Sequence, residues 1–240
     1  MFYYCMYYLF NLLYFQNMTS MEEFKNQFVR NELKITENYG KILSILDFGN
    51  INHWFEDDRQ DADHKVLDED QKLKISLDGL KNFASIFSKD IRFYYGTDSN
   101  REGSVNFISA VKHVFGRSRV FSKQIQYVRH YLKGNEFVTN TRQTFLDFAG
   151  TFVRIPKCNF DVEISVDTIR LIDQYDTLAM FSGDADFIAL FRHLKNKGKR
   201  IVLIKGGNIS TDLRRSADLV VSAQNIKKYI SSVEKQKPGV

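Results

Sequence analysis

A chain of 240 residues with a hydrophobic fraction of 43% is long enough to bury one principal α/β core with extensions. A net charge of +5 and a pI near 9.0 suit a polyanionic partner, but a solvated cationic face has the same signature, so charge selects neither. Cys5 and Cys158 are the only cysteines, which excludes a disulfide framework or a cysteine zinc site and points to a reducing, cytoplasmic setting. His53, His64, His113, His130 and His193 lack the paired spacing of histidine zinc motifs.

Residues 1–16 are uncharged and dominated by aromatics. The run falls short of the roughly 20 apolar residues that span a bilayer, and it lacks the basic start and small-residue cleavage site of a signal peptide. It reads as an extension of uncertain order or as an upstream start ahead of Met18 and Met21; a segment touching a membrane is the alternative. A helix follows over 19–34, with Thr19 or Ser20 as its N-cap and Glu22-Glu23 in its first turn. Residues 1–36 are thus set apart from a domain over 37–222.

From residue 41 strand-like and helix-like segments alternate. The expected strands are Ile42–Leu46, Ile91–Tyr95, either Asn135–Val138 or Thr151–Ile155, Thr177–Phe181, Arg200–Ile204 and Asp218–Val221. Each is a short, continuous apolar run, as strands buried on both faces require. Helices are expected at about 70–88, 104–114, 121–132, 161–175, 186–197 and 210–216, with Gly198 closing the fifth. Strands separated by helix-length crossovers predict a mainly parallel sheet with helices on both faces, a three-layer Rossmann-like α/β fold. Residues 50–70 are polar and aperiodic and read as a flexible rim loop; 223–240 read as a short helix, Ala223–Val233, and a basic tail.

The most telling residues are acids. The first expected strand runs into Asp47-Phe48-Gly49-Asn50, and the strand Thr177–Phe181 runs into Ser182-Gly183-Asp184-Ala185-Asp186. Ligands in open parallel sheets gather beyond the carboxyl ends of strands, and carboxylates crowded there repel unless a cation neutralises them. Asp47 is the expected central metal ligand, partly because no helix is evident at Gly49. Asn50 offers an oxygen or an amide to a ligand, to phosphate or to Asp47. Asp184 and Asp186 each have a second reading, as turn residue or helix cap. On the helix beginning near Asp161, Val162, Val166, Ile169 and Ile172 form the expected buried stripe. Asp161 then flanks it as a ligand candidate, while Glu163 and Asp167 point outward. Lys157 is a candidate phosphate contact or a counter-charge to the acids.

Taken together, D-F-G-N at 47–50, the run from Lys157 through Asp161 to Asp167, S-G-D-A-D-F at 182–187, G-K-R-I-V-L-I at 198–204 and L-R-R-S-A-D at 213–218 resemble the NYN domain family, the LabA-like branch of PIN-like nucleases, over roughly 41–222. The resemblance implies a PIN-like fold and a Mg²⁺- or Mn²⁺-dependent ribonuclease acting on single-stranded RNA. It places Asp47, Asn50, Asp161 and Asp184 at the acidic-site positions, with Asp167 and Asp186 also matching and Ser182 supporting. Phe160 and the stretch Thr97 to Val120 depart from the family pattern.

Lys112, Arg117, Arg119, Lys123, Arg129, Lys195, Lys197, Lys199 and Arg200 are the candidate phosphate contacts. Trp54, Tyr94 and Tyr95 are candidates for stacking on bases, although strand packing explains the two tyrosines equally simply. A catalytically silent RNA-binding or protein-interaction module on the same scaffold is the competing reading, and homo-oligomers or protein partners are compatible with either. A phosphotransferase using Asp47 as nucleophile would want a second Asp where Gly49 stands.

Overall fold

In the computed structural model, which describes residues 21–133 and 143–235, the elements follow in chain order. Helix α1 spans 21–32; then come β1 (Ile42–Asp47), α2 (Phe48–Ile51), β2 (Gln71–Ile75), α3 (Leu77–Ser85), β3 (Asp90–Thr97) and α4 (Glu102–Phe115). The middle of the chain contributes β4 (Val120–Gln124), β5 (Gln126–Tyr131), β6 (Thr144–Asp147), β7 (Gly150–Lys157), α5 (Asp161–Arg170) and β8 (Thr177–Phe181). The remainder is α6 (Ile188–Asn196), β9 (Arg200–Lys205), α7 (Thr211–Ser216), β10 (Leu219–Ser222), α8 (Ala223–Ile230) and β11 (Ser231–Lys235).

Six strands form the central sheet in the order β10-β9-β8-β1-β3-β4, and every pairing is parallel. On one face Leu46, Phe93, Phe181 and Ile204 pack with Phe83 of α3, Phe115 of α4 and Ile226 of α8. On the other, Ile45, Tyr94, Met180 and Leu203 pack with Ile164 of α5, Phe191 of α6 and Leu213 of α7. This is the expected three-layer α/β arrangement. The chain builds outward from β1 through β3 to β4, then returns to place β8 on the opposite side of β1. The β1/β8 boundary is therefore the point where strand order reverses, the usual location of a ligand crevice.

Several local expectations are corrected. The helix expected over 121–132 is two strands: Phe121 and Ser122 continue the parallel sheet beside Tyr94 and Tyr95, and Gln126–Tyr131 lies antiparallel to β7. Gln126–Tyr131 is exposed along its whole length, so it is the pairing with β7 rather than a buried face that makes it a strand. The Thr151–Ile155 strand exists, but inside β7, at the centre of a separate β5-β7-β6 sheet. Asn135–Val138 and residues 1–16 lie outside the described residues. The helix expected from about residue 70 begins at Leu77, where the Ser76 hydroxyl accepts from the Gly79 N–H, and the preceding residues pair with β11. That pairing also ends the last helix at Ile230 rather than Val233. Among the described residues no helix is long and apolar enough to cross a membrane.

The rim loop after β1 is anchored rather than free. Lys227 of α8 is buried, pairs with Asp58 at 2.8 Å and donates to the Gln60 carbonyl, while Gln60 and Val66 form a bridge. A buried ammonium with two oxygen partners resists removal, because the partners would be left unmatched.

Helix α5 presents a different face from the expected one. Its sequence carries two stripes at helical spacing, and the buried one is Ile164, Thr168 and Leu171, whereas Val162, Val166 and Ile169 are 72%, 48% and 43% exposed. Thr168 is admitted because its hydroxyl donates to the Ile164 carbonyl. Decisive is Asp167, whose carboxylate accepts from the Tyr94 hydroxyl at 2.7 Å and lies 3.6 Å from Arg92. With Ile164 facing the sheet, Asp161 and Asp167 flank it by about 60° on either side.

Gly96 of β3 lets the segment leading into α5 lie close to the sheet: a Cβ there would sit 2.7 Å from the Cys158 Cβ. Gly96→Ala is expected to destabilise the protein by about 1–3 kcal/mol through this clash, measured as a lowered urea midpoint with an unchanged m-value.

Candidate metal centre

Strand parity sends Asp47 to the same face as Leu43 and Ile45, toward α5 and α6. A short helix does begin directly after it, contrary to expectation. The Asn50 backbone nevertheless lies close enough only to favour the ionised carboxylate, without forming a capping bond. The firm partner is Ser182, buried at the tip of β8, whose hydroxyl donates to Asp47 Oδ2 at 2.9 Å and accepts from the Asp184 N–H at 3.2 Å. Ser182 therefore ties the two strand tips together.

Asn50 makes a second tie. Its Oδ1 accepts from the Gly183 N–H at 3.0 Å and from Trp54 Nε1 at 3.2 Å, leaving the amide nitrogen as the group it has to offer. Trp54 lies against Gly206, where a Cβ would come within 2.3 Å of the indole. The indole is buried beside Phe181, and Tyr94 is buried against Phe121, so neither ring is open to a base. Tyr95 packs between Phe48 and Phe107.

Three carboxylates converge beside Asp47. Oxygens of Asp161, Asp184 and Asp186 all lie within 4.8 Å of one another. Asp184 is also the cap of the turn after β8, accepting from the Asp186 N–H at 3.0 Å, so its two readings hold together. Asp161 opens α5 and is held by Asn159, which donates to its Oδ2 at 2.6 Å and accepts from its N–H at 2.7 Å. Asn159 was given no role from sequence; an Asn two residues before an acid at a helix start is the signal that would have found it. Lys157 is exposed at the end of β7, and Asp167 is turned to Tyr94 rather than outward.

The electrostatics follow from this crowding. Burial pushes the Asp47 carboxyl up from 3.8 to about 6, and Asp161 and Asp184 push the same way against the Ser182 hydrogen bond. Asp161 is raised as well, first by burial and then by Asp184 and Asp186. Clustered carboxylate oxygens with little to neutralise them form a donor set for a hard divalent cation.

A sequence model of the NYN domain matches residues 81–224, more than half of the chain. The chain belongs to the NYN domain family. NYN domains are in general nuclease-like, and nucleases among them typically depend on a divalent metal. The match begins later than the expected 41–222, so β1, Asp47 and Asn50 lie outside it, although β1 pairs with both β3 and β8.

Among curated proteins, the chain is 32% identical over 85 residues to the low amplitude and bright protein LabA of Synechococcus elongatus, covering 35% of this chain and 46% of that one. It is 35% identical over 71 residues to an uncharacterised protein of Methanocaldococcus jannaschii, covering 28% and 30%. The NYN chain thus spans less than half the length of either relative. A Vibrio parahaemolyticus protein of unknown function shares the fold at a TM-score of 0.51 and 16% identity, over 81% of this chain and 98% of that one.

Asp47→Asn is expected to stabilise the metal-free protein at neutral pH. Because the folded carboxyl holds its proton up to about 6 rather than 3.8, the native state binds more protons between those values, and stability falls as pH rises through that window. The variant lacks this loss, so the difference between the two proteins grows from about pH 4 to pH 6, to at most about 3 kcal/mol. Urea unfolding in EDTA at several pH values measures it.

Proposed function

We propose that this NYN domain is a Mg²⁺- or Mn²⁺-dependent ribonuclease that hydrolyses phosphodiester bonds in single-stranded RNA. The observation that supports this most is the meeting of Asp161, Asp184 and Asp186 within 4.8 Å at the strand-order reversal, with Asp47 beside them. In this reading the three carboxylates hold the cation, and the bound metal supplies charge stabilisation at the phosphate and a more acidic water.

Asp47 stands just outside the three-carboxylate set, which shifts its proposed role from central ligand to proton acceptor for the attacking water. A carboxyl pushed up to about 6 is a better base near neutral pH than an ordinary aspartate. Ser182 orients that carboxylate from below, and Asn159 holds Asp161 in place. Asn50 keeps the two strand tips in register while presenting its amide nitrogen to the substrate phosphate. Asp167 acts at a distance, fixing α5 to β3 through Tyr94. The domain proposed for this chemistry is 37–222, because β1 supplies Asp47 and forms the middle of the sheet.

Purified protein with Mn²⁺ is expected to cleave a labelled single-stranded RNA. Asp184→Asn should lower the rate by more than about 100-fold, since even outer-shell changes at metal sites cost 10–100-fold, and should weaken Mn²⁺ binding by calorimetry. Equal rates in wild type and variant would remove the enzyme reading and leave the silent binding module.

A further inference from the structure

The tertiary structure sorts the nine cations that the sequence offered as phosphate contacts. Arg119 pairs with Asp90, Lys123 with Glu163, Arg129 with Asp147 and Lys195 with Asp218. Lys199 donates to the Tyr175 carbonyl and Arg200 to that of Asn38. Lys197 stands at the end of α6. Lys112 and Arg117 meet no carboxylate among the described residues, and they share one groove with His113.

That groove, of about 830 Å³, runs between α4 and the edge strand β4. No acidic residue lines it. Its polar lining is completed by the hydroxyl side chains of Thr97, Ser99 and Ser109. One lysine, one arginine, one histidine and three hydroxyls without a carboxylate form the lining a chain of phosphates needs, because each repeat brings one negative charge and acceptor oxygens only.

Position supports the same occupant. The upper end of the groove is the tip of β3, at Thr97 and Ser99, and the lower end is Arg117 before β4. Tyr94 of β3 is in register with Asp47, so Thr97 lies one strand over and about 10 Å further along the strand direction, with α4 on the face of the sheet opposite the one toward which Asp47 points. A strand leaving that centre reaches the groove by passing over the carboxyl end of β3 to the α4 side of the sheet. No Phe, Tyr or Trp lines the groove, so its reading of the strand is mainly electrostatic and tolerant of sequence.

We propose that the α4/β4 groove binds the phosphate backbone of single-stranded RNA through Lys112, His113 and Arg117, as a track leading to the carboxylate centre. The proposal rests on the ribonuclease reading for its substrate, but binding and cleavage are separable. Fluorescence anisotropy with a short labelled single-stranded RNA in EDTA, over a range of salt, reads binding alone. The double variant Lys112→Glu/Arg117→Glu should bind about tenfold or more weakly at moderate salt. Neutralisation by Lys112→Gln/Arg117→Gln should flatten the plot of log affinity against log salt by about 1.4, at roughly 0.7 per phosphate contact on single strands.

Lys25→Glu, the same change of sign on an exposed residue of α1, should leave affinity and slope near wild type. Thermal unfolding followed by circular dichroism checks that each variant is folded. A wild type that does not bind RNA, or a folded Lys112→Gln/Arg117→Gln variant with unchanged affinity and slope, overturns the groove. Binding that depends on the groove, in a protein that cleaves nothing with Mn²⁺, removes the ribonuclease reading and keeps the groove. Cleavage with groove-independent binding does the reverse.

Discussion

Repulsion among carboxylates gathered at the reversal between β1 and β8 is the constraint around which the rest of the molecule is arranged. Asp161, Asp184 and Asp186 approach within 4.8 Å, and Asp47, beside them, carries a carboxyl pushed up to about 6. Water alone would let such groups drift apart, since like charges at this spacing disfavour one another by an amount that grows as solvent is excluded. The backbone prevents it: two acids are set at or just beyond strand tips, and Asp161 and Asp186 enter helical turns facing them.

Neutral hydrogen bonds do most of the holding. Ser182 links Asp47 to the backbone of Asp184, Asn50 links the β1 turn to Gly183 and Trp54, and Asn159 braces Asp161. None of these partners brings a positive charge, so the acids are positioned without being neutralised. Lys123, on the strand beside the Gly96 end of β3, is occupied by Glu163 in the first turn of α5. The centre keeps its excess negative charge, which is the condition for taking up a divalent ion.

The scaffold around this centre includes residues ahead of the family match. The NYN match covers residues 81–224, yet the strand that supplies Asp47 precedes it and occupies the middle of the sheet. Between β4 and α5 lies the small β5-β7-β6 sheet, whose last strand leads through Lys157 and Asn159 into Asp161. Close passage of that connection over Gly96 couples the small sheet to the position of a ligand candidate.

The parallel sheet, its buried central strands and the acids at their ends were legible in the sequence. Continuous apolar runs such as Thr177–Phe181 admit few alternatives, and an Asp ending such a run is unusual enough to mark a site. What remained hidden depended on contacts remote in sequence. Two equally spaced stripes on α5 compete, and only the Tyr94 hydroxyl and Arg92, some seventy residues away, turn Asp167 inward and leave Val162, Val166 and Ile169 in solvent. Tyr127–Tyr131 becomes a strand because β7 is present to pair with it. Local sequence thus determined the buried central strands and the acids at their tips, while tertiary packing decided which peripheral segments pair as strands, which way each helix faces and which cations among the described residues meet no carboxylate, because those choices are made by partners that no local spacing reveals.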